Sequence, residues 1–203
     1  MVTDDTRYPI LVDTDALIAV ANSPLWAQIT SHIGLTTTNV CNQELKQHVQ
    51  NTQETAPKGS RPYRLHHGSQ AALDALEDDE TPLTQVTSVP RPHGADAGEE
   101  SLRQEVLQNS SAVDAVILMD AAGRRSIRRA VDDQDEKIQV VTPPFLFYIL
   151  YDNNLISREE FCGACGEMLE REGWTGYNAV KAAWEGIPID CSDILDNHLL
   201  PGE

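Results

Sequence analysis

Carboxylic acids occupy four comparable positions along the chain. Asp13 and Asp120 each come directly after a short apolar run, and Glu44 and Glu99 lie in the first turn of a predicted helix. The carboxyl ends of parallel strands, and the helices that follow them, meet at one rim of a sheet, so we expect these four side chains to share a cleft. Each acid alone is usually only a helix cap, because an acidic residue at a helix start complements the macrodipole.

Carboxylates gathered on one rim repel one another unless some take up protons or a cation binds among them. We expect no histidine or cysteine beside these acids, which argues against zinc. The hard, oxygen-seeking ions Mg²⁺ and Mn²⁺ are then the expected ligands of the cleft.

Strands and helices alternate along the chain and would position these acids. The alternation predicts an α/β fold, a three-layer α/β/α sandwich whose mainly parallel sheet has four to five strands. One apolar run is continuous rather than alternating, which indicates a strand buried on both faces. The predicted strands are Ile10–Val12, Thr36–Val40, Leu83–Val89, the continuous run Ala115–Met119, and Ile138–Val141.

Three polar residues predict helix starts. Ser23 precedes a proline and Asn42 follows the second strand, so each is a candidate N-cap. Ser157 and Glu160 have the spacing of a capping box.

The domain organisation predicted from these elements is one domain over residues 1–185. It carries a loop-rich surface insertion at about 50–95, in which Ala71–Leu76 form a short helix. An irregular tail follows over residues 186–203, where prolines recur and apolar residues are scattered.

The charge balance is strongly acidic. The 203 residues carry 32 Asp and Glu against 15 Lys and Arg, a net charge of −17, and only four of the cations are lysine. A dispersed excess of carboxylate is tolerated where molar salt screens self-repulsion, so the composition indicates a halophile, with an ordinary acidic protein as the alternative. We find no long apolar run and no basic leader, which predicts a cytoplasmic protein without a membrane span.

Four cysteines are too few for a disulfide scaffold in a chain of this length. Cys162 and Cys165 form a CxxC pair, which admits a zinc or redox interpretation. No second ligand pair stands near them, and we expect both to be small core residues of a helix.

The four acids and their neighbours, taken in chain order, resemble the motifs of the PIN-domain nucleases, most closely the VapC-like toxins and their free-standing prokaryotic relatives. The matching features are a strand ending in Asp before Thr, a Glu in the next helix, a Gly-Glu helix start, and a strand ending in Asp before an Arg-containing helix. These lie at 10–18, 41–45, 96–99 and 117–125. The resemblance spans about residues 8 to 185 and, with the acidic excess, indicates a haloarchaeal member.

The resemblance implies a metal-dependent endoribonuclease in which Mg²⁺ or Mn²⁺ is held by Asp13, Glu44, Glu99 and Asp120. A metal-activated water would attack the phosphodiester and leave a 5′ phosphate. Thr14 would hydrogen-bond metal-bound water or substrate. If the protein is a toxin, a small antitoxin would lay Arg or Lys over the acidic site. A stand-alone RNA-processing enzyme fits equally well, and a homodimer is a further partner to test.

One departure from the family pattern concerns the residues after Asp120. Relatives often carry a second acid there, whereas this chain has Ala121 and Ala122. That favours a single bound ion. Glu100 beside Glu99 leaves two acids for one position, and the preceding glycine makes Glu99 the better match.

Arginines are densest just after the fourth acid. Their spacing of four places them in pairs on one side of a helix. They would contact the RNA backbone, Arg124 and Arg125 foremost. The alternative is intramolecular pairing with the acids that follow or with a neighbouring helix. The arginines are 124, 125, 128 and 129, and the acids are Asp132, Asp133 and Asp135.

Two other functions remain open on the sequence. Asp13 and Asp15 after an apolar strand also resemble the first motif of haloacid-dehalogenase-type phosphatases, in which the first Asp is a nucleophile. That family needs a later lysine, and Lys137 is badly placed for it. The other alternative is a non-catalytic PIN-like module that binds RNA or protein.

Overall fold

The computed structural model describes residues 10–52, 55–78, 83–86, 97–133, 137–174, 177–189 and 191. Within them, strands and helices alternate as the hydrophobic pattern predicts. The strands are β1 (Ile10–Val12), β2 (Leu35–Thr38), β3 (Leu83–Val86), β4 (Ala115–Ile117) and β5 (Gln139–Val141). The helices are α1 (Thr14–Ala21), α2 (Trp26–His32), α3 (Asn39–Asn51), α4 (Arg61–Glu77), α5 (Ala97–Asn109), α6 (Ala121–Asp132), α7 (Pro144–Asp152), α8 (Arg158–Arg171) and α9 (Tyr177–Ala183), with a 3-10 turn at Ser110–Ala112.

The five strands form one sheet in the order β3-β2-β1-β4-β5, and every neighbouring pair is parallel. Ile10 of β1 stands opposite Leu35 of β2 on one side and Ala115 of β4 on the other. Because β1 and β4 are neighbours, the residues that follow them leave the same edge of the sheet side by side.

Helices cover both faces of the sheet. Ile10 and Val12 belong to a core shared with α1, α2, α4, α7 and α8, whereas Leu11 belongs to a second core shared with α5 and α6. Successive strand residues point to opposite faces, so both faces of β1 are buried. The three-layer α/β/α sandwich predicted from the sequence is therefore confirmed.

Two of the three predicted helix caps are wrong. Helix α2 begins at Trp26, and the Ser23 hydroxyl is buried with no hydrogen-bond partner in the described part of the chain. Helix α3 begins directly after β2, where Thr38 Oγ1 accepts a hydrogen bond from the Cys41 amide at 3.2 Å, so Asn42 lies inside the helix. The capping box at Ser157 is confirmed.

The segment predicted as a loop-rich insertion contains the longest described helix, α4, which begins well before the expected Ala71. Ser60 caps it by accepting from the Tyr63 amide at 3.3 Å. Pro62 lies in the first turn of α4, where a missing N–H costs nothing. The inner face of α4 packs against the core through Ala72 and Leu73.

The described residues of the C-terminal segment have no helix or strand after α9 but pack on the core. The Trp184 indole N–H donates to the Ile189 carbonyl at 2.8 Å, and Ile187 and Cys191 are buried in the core shared by α7 and α8. Residues 192–203 and Val89 of the third predicted strand lie outside the described residues. The domain limits at 185 and 186 stay predictions.

Cys162 forms a disulfide with Cys191, which corrects the expectation that it is a free core thiol. The partner is 29 residues away and could not be chosen from the CxxC spacing. Cys165 is buried and free, as is Cys41. No helix of the described residues is long and apolar enough to cross a membrane.

Candidate active site

The four predicted acids line one cleft at the carboxyl edge of the sheet. Its volume is about 420 Å³. Asp13 follows β1 and Asp120 follows β4, while α3 carries Glu44 and α5 carries Glu99. Glu44 lies in the second turn of its helix, not the first as expected, because α3 begins at Asn39.

Asp13 and Asp120 are both helix N-caps. One oxygen of Asp13 accepts from the Ala16 amide at 2.6 Å, and one oxygen of Asp120 accepts from the Gly123 amide at 2.8 Å. The alternative interpretation of Asp13 and Asp120, that they cap helices, is therefore correct, but it does not exclude a second role. Each cap uses a single carboxylate oxygen, and the Asp13 carboxylate also interacts with the Met119 backbone N–H. A carboxylate has about four acceptor sites on its two oxygens, so each acid keeps acceptor capacity for a ligand.

Asp13 is buried, with 7% of its surface exposed. Burial raises the pKa of this carboxyl from 3.8 to about 8. The backbone N–H groups of Ala16 and Met119 partly oppose this effect, and the charges of Asp15 and Glu99 reinforce it. An ionised carboxylate is costly in such a position unless a cation lies beside it.

Glu44 is held between Thr14 and Gly98. The Thr14 hydroxyl donates to Glu44 Oε2 at 2.5 Å. A Cβ placed on Gly98 would lie 2.6 Å from the same oxygen, closer than any side chain tolerates. Any side chain at this position would displace the Glu44 carboxylate, so glycine before Glu99 lets that carboxylate pack on the helix backbone.

Glu99 makes the same kind of contact with the next helix, α6. Its carboxylate packs on the backbone of Gly123, where an added Cβ would clash with both carboxylate oxygens. Gly123 also supplies the amide that Asp120 accepts. The carboxylate of Glu44 therefore packs against the start of α5 at Gly98. In the same way, the carboxylate of Glu99 packs against the start of α6 at Gly123.

A buried chain of hydroxyls fixes the start of α5. Thr38 and Ser101 hydroxyls are hydrogen-bonded at 2.7 Å, and the Ser101 hydroxyl donates to the Gly98 carbonyl at 2.6 Å. The sequence pattern predicts neither residue as a support of the site. The only local hint was a run of threonines in a strand that would otherwise be apolar.

Glu99 and Glu100, the adjacent acids of α5, have different surroundings. Glu100 accepts from Arg103 Nε and Nη2, each at 2.7 Å, and this pairing lowers its pKa. Glu99 lines the cleft and Glu100 does not. Glu99, the acid that follows Gly98, is therefore the one at the cleft.

Arg124 and Arg125 have different surroundings. Arg124 is buried, and its Nη1 donates to the carbonyls of Leu118 at 3.1 Å and Met119 at 2.6 Å. It thereby holds the turn that carries Asp120. It also lines a cavity of about 270 Å³ that includes Asp120. Arg125 is exposed.

Arg128 makes contacts within the protein, as the alternative interpretation of the cluster requires, and its partners lie outside the acids that follow it in the sequence. Its Nη2 donates to the Val140 carbonyl at 2.7 Å and to Glu185 at 2.8 Å. The predicted partner Asp135 lies outside the described residues.

The cleft has more polar residues than the sequence indicated. Asp15, Gln47, His48, Asn51 and Arg61 also line it. His48 follows Glu44 by four residues on α3, so the expectation of no histidine beside the acids is wrong. Arg61 was missed because the start of α4 was taken for a loop.

The donor chemistry suits a hard divalent cation. The four acids offer oxygen ligands only, in a cleft large enough for an ion that keeps several of its waters, as Mg²⁺ does. Among the described residues, no three His, Cys, Asp or Glu side chains are grouped closely enough to hold an ion directly. Binding partly through water fits both observations.

A family model described as Halobacterial PIN domain covers residues 1–201. No curated protein and no solved structure matches the chain.

Proposed function

Because the chain belongs to the halobacterial PIN-domain family, whose fold is of the nuclease type, we propose that it is a metal-dependent endoribonuclease. One observation carries this proposal: four acids that lie far apart in the sequence line a single cleft at the carboxyl edge of the sheet. Family membership also favours a nuclease over a haloacid-dehalogenase-type phosphatase.

In this proposal Mg²⁺ or Mn²⁺ is held by Asp13, Glu44, Glu99 and Asp120. The bound cation would supply a water of lowered pKa and would offset negative charge on the phosphodiester. Ala121 and Ala122 follow Asp120, so the chain offers no extra acid there for a second ion.

The protein's own residues orient this machinery. Thr14 donates to Glu44 and so fixes which carboxylate oxygen faces the cleft. Gly98 and Gly123 let Glu44 and Glu99 approach the helix starts. Such support matters because small displacements of catalytic groups cost large factors in rate.

Substrate contacts are proposed for Thr14, Arg124 and Arg125. Arg125 is exposed on α6 and can reach a phosphate directly. Arg124 would act from the cavity that it shares with Asp120, while its Nη1 continues to hold the turn. RNA is the proposed substrate, and a small antitoxin with Arg or Lys over the cleft is a proposed partner if the protein is a toxin.

A non-catalytic RNA- or protein-binding module is the second candidate. The absence of a close group of three metal ligands among the described residues favours it, as does the missing acid after Asp120. Cutting activity separates the two candidates.

The test is an RNA-cleavage assay in molar KCl with Mg²⁺ or Mn²⁺, on single-stranded and structured RNA. We expect metal-dependent products with a 5′ phosphate, and their loss in Asp13→Asn. Intact RNA in the presence of either ion would favour the binding module. Release of phosphate from small phosphomonoesters, with no cut in RNA, would favour the phosphatase.

A further inference from the structure

A second groove lies between α5 and α6, next to the carboxylate cleft. Its volume is about 430 Å³. Three of its seven lining residues are arginines. The groove, called the arginine groove below, is lined by Arg103, Ala122, Arg125, Ser126, Arg129, Ala130 and Asp133.

The groove carries uncompensated positive charge in a protein of net charge −17. Arg103 is paired with Glu100. Arg125 and Arg129 are exposed, and neither side chain has a hydrogen-bond or ion-pair partner in the part of the chain that is described. Asp133, at the far end of α6, is the one acid among the lining residues. An anionic ligand is therefore expected here.

The groove continues from the carboxylate cleft. Arg103 follows Glu99 by four residues, so the two lie about 6 Å apart along the same side of α5. On α6, Ala122 lines the groove and its neighbour Gly123 seats the Glu99 carboxylate. A chain-like ligand that enters the cleft can thus run on between the two helices.

We propose that the arginine groove binds the backbone phosphates of single-stranded RNA, extending the substrate path of the proposed nuclease, on which this inference rests. Arginine forks match phosphate oxygens in geometry and charge. None of the described lining residues is aromatic, so binding is by phosphate contacts and is independent of base sequence. An acidic peptide that ran on into the carboxylate cleft would meet repulsion from Glu99, whereas RNA phosphates there would be offset by the divalent cation of the proposed function.

The test is fluorescence anisotropy of a labelled single-stranded RNA of about 20 nucleotides, with full-length protein in EDTA, from about 0.3 to about 1.5 M KCl. Arg125→Gln/Arg129→Gln should weaken binding at least about tenfold at the lowest salt. It should also reduce the slope of log Kd against log[KCl] by about 1.4, since each phosphate contact on a single strand contributes about 0.7.

Two matched variants serve as controls. Lys58→Gln/Lys181→Gln makes the same change in net charge at exposed residues outside the groove, and should leave affinity within about twofold of wild type. Arg125→Lys/Arg129→Lys keeps the charge but loses the arginine fork, so it should retain the salt slope and lose less affinity than the glutamine double variant.

If the glutamine double variant binds RNA with the affinity and salt slope of wild type, the proposal is overturned, and an acidic protein partner becomes the better explanation of the groove. An equal loss in the lysine control would also overturn it, because only net charge would then matter. Failure of the nuclease is recognised separately: wild type that binds RNA through the groove but cuts none with Mn²⁺ contradicts the activity alone.

Discussion

Replacing Asp13 by asparagine should stabilise the metal-free protein at neutral and alkaline pH. Asparagine has nearly the volume of aspartate and is an equally good N-cap, so it can still accept from the Ala16 amide. What it removes is the charge, at a site where only 7% of the residue is exposed.

The magnitude follows from the pKa. Burial raises the pKa of Asp13 from 3.8 to about 8. Between these values the unfolded chain ionises Asp13 while the folded protein keeps it protonated, so stability falls as pH rises and the full penalty is reached above pH 8. At about 1.4 kcal/mol for each pKa unit, the penalty is about 4 kcal/mol at pH 7 and approaches about 6 kcal/mol above pH 8.

The assay is thermal unfolding followed by circular dichroism, in molar KCl with EDTA, from about pH 4 to about pH 9. Wild type and Asp13→Asn should melt together near pH 4 and diverge as pH rises. At pH 8 the variant should melt at least about 10 °C higher, since each kcal/mol is worth about 2–4 °C in a chain of this size. Asp114→Asn, which removes an exposed carboxylate at the opposite end of the sheet, should show no such divergence.

Added Mn²⁺ should then raise the melting temperature of wild type more than that of Asp13→Asn, because a cation beside the carboxylate removes the cost of its charge. Parallel curves for wild type and variant in EDTA would refute the reasoning about burial. Equal stabilisation of both proteins by Mn²⁺ would refute the assignment of Asp13 as a metal ligand.

Three further predictions concern other parts of the fold. Gly123→Ala places a methyl group against the Glu99 carboxylate and should slow RNA cleavage about 10- to 100-fold with an unchanged circular dichroism spectrum; normal activity would contradict the seating of Glu99. Arg124→Met leaves two backbone carbonyls without their charged donor and should lower the free energy of unfolding by about 2–3 kcal/mol in urea titrations. A loss below about 0.5 kcal/mol would show that these two hydrogen bonds do not stabilise the turn. Cys162→Ser removes the disulfide to Cys191, which lies 29 residues away, and should lower the free energy of unfolding by about 3 kcal/mol. Dithiothreitol should lower the free energy of unfolding of wild type by the same amount and should have no further effect on the variant.

The acids of the cleft were predictable from the sequence because local patterns mark them. Asp13 and Asp120 end apolar strands, and such strands must leave a parallel sheet at one common edge. Glu99 is marked by its glycine. What local patterns cannot provide is the reason for that glycine, since the group that needs the space is Glu44, on a different helix.

The features that sequence reasoning missed depend on contacts between distant segments. Helix α4 has polar outer residues and a proline in its first turn, and only its packing on the core shows that it is a helix. Arg124 has the sequence context of a surface cation, yet the turn after β4 buries it. Cys162 has a near neighbour at CxxC spacing, but its disulfide partner comes from the C-terminal segment.

The most direct test of the central claim compares Glu99→Gln with Glu100→Gln in RNA cleavage with Mn²⁺ in molar KCl. The two variants lose the same charge from adjacent residues of α5, but only Glu99 lines the cleft, while Glu100 is paired with Arg103. We predict that Glu99→Gln reduces the cleavage rate at least about a hundredfold and that Glu100→Gln stays within about threefold of wild type. Equal rates for the two variants, or cleavage that persists in EDTA, would contradict a metal-dependent nuclease built on this cleft.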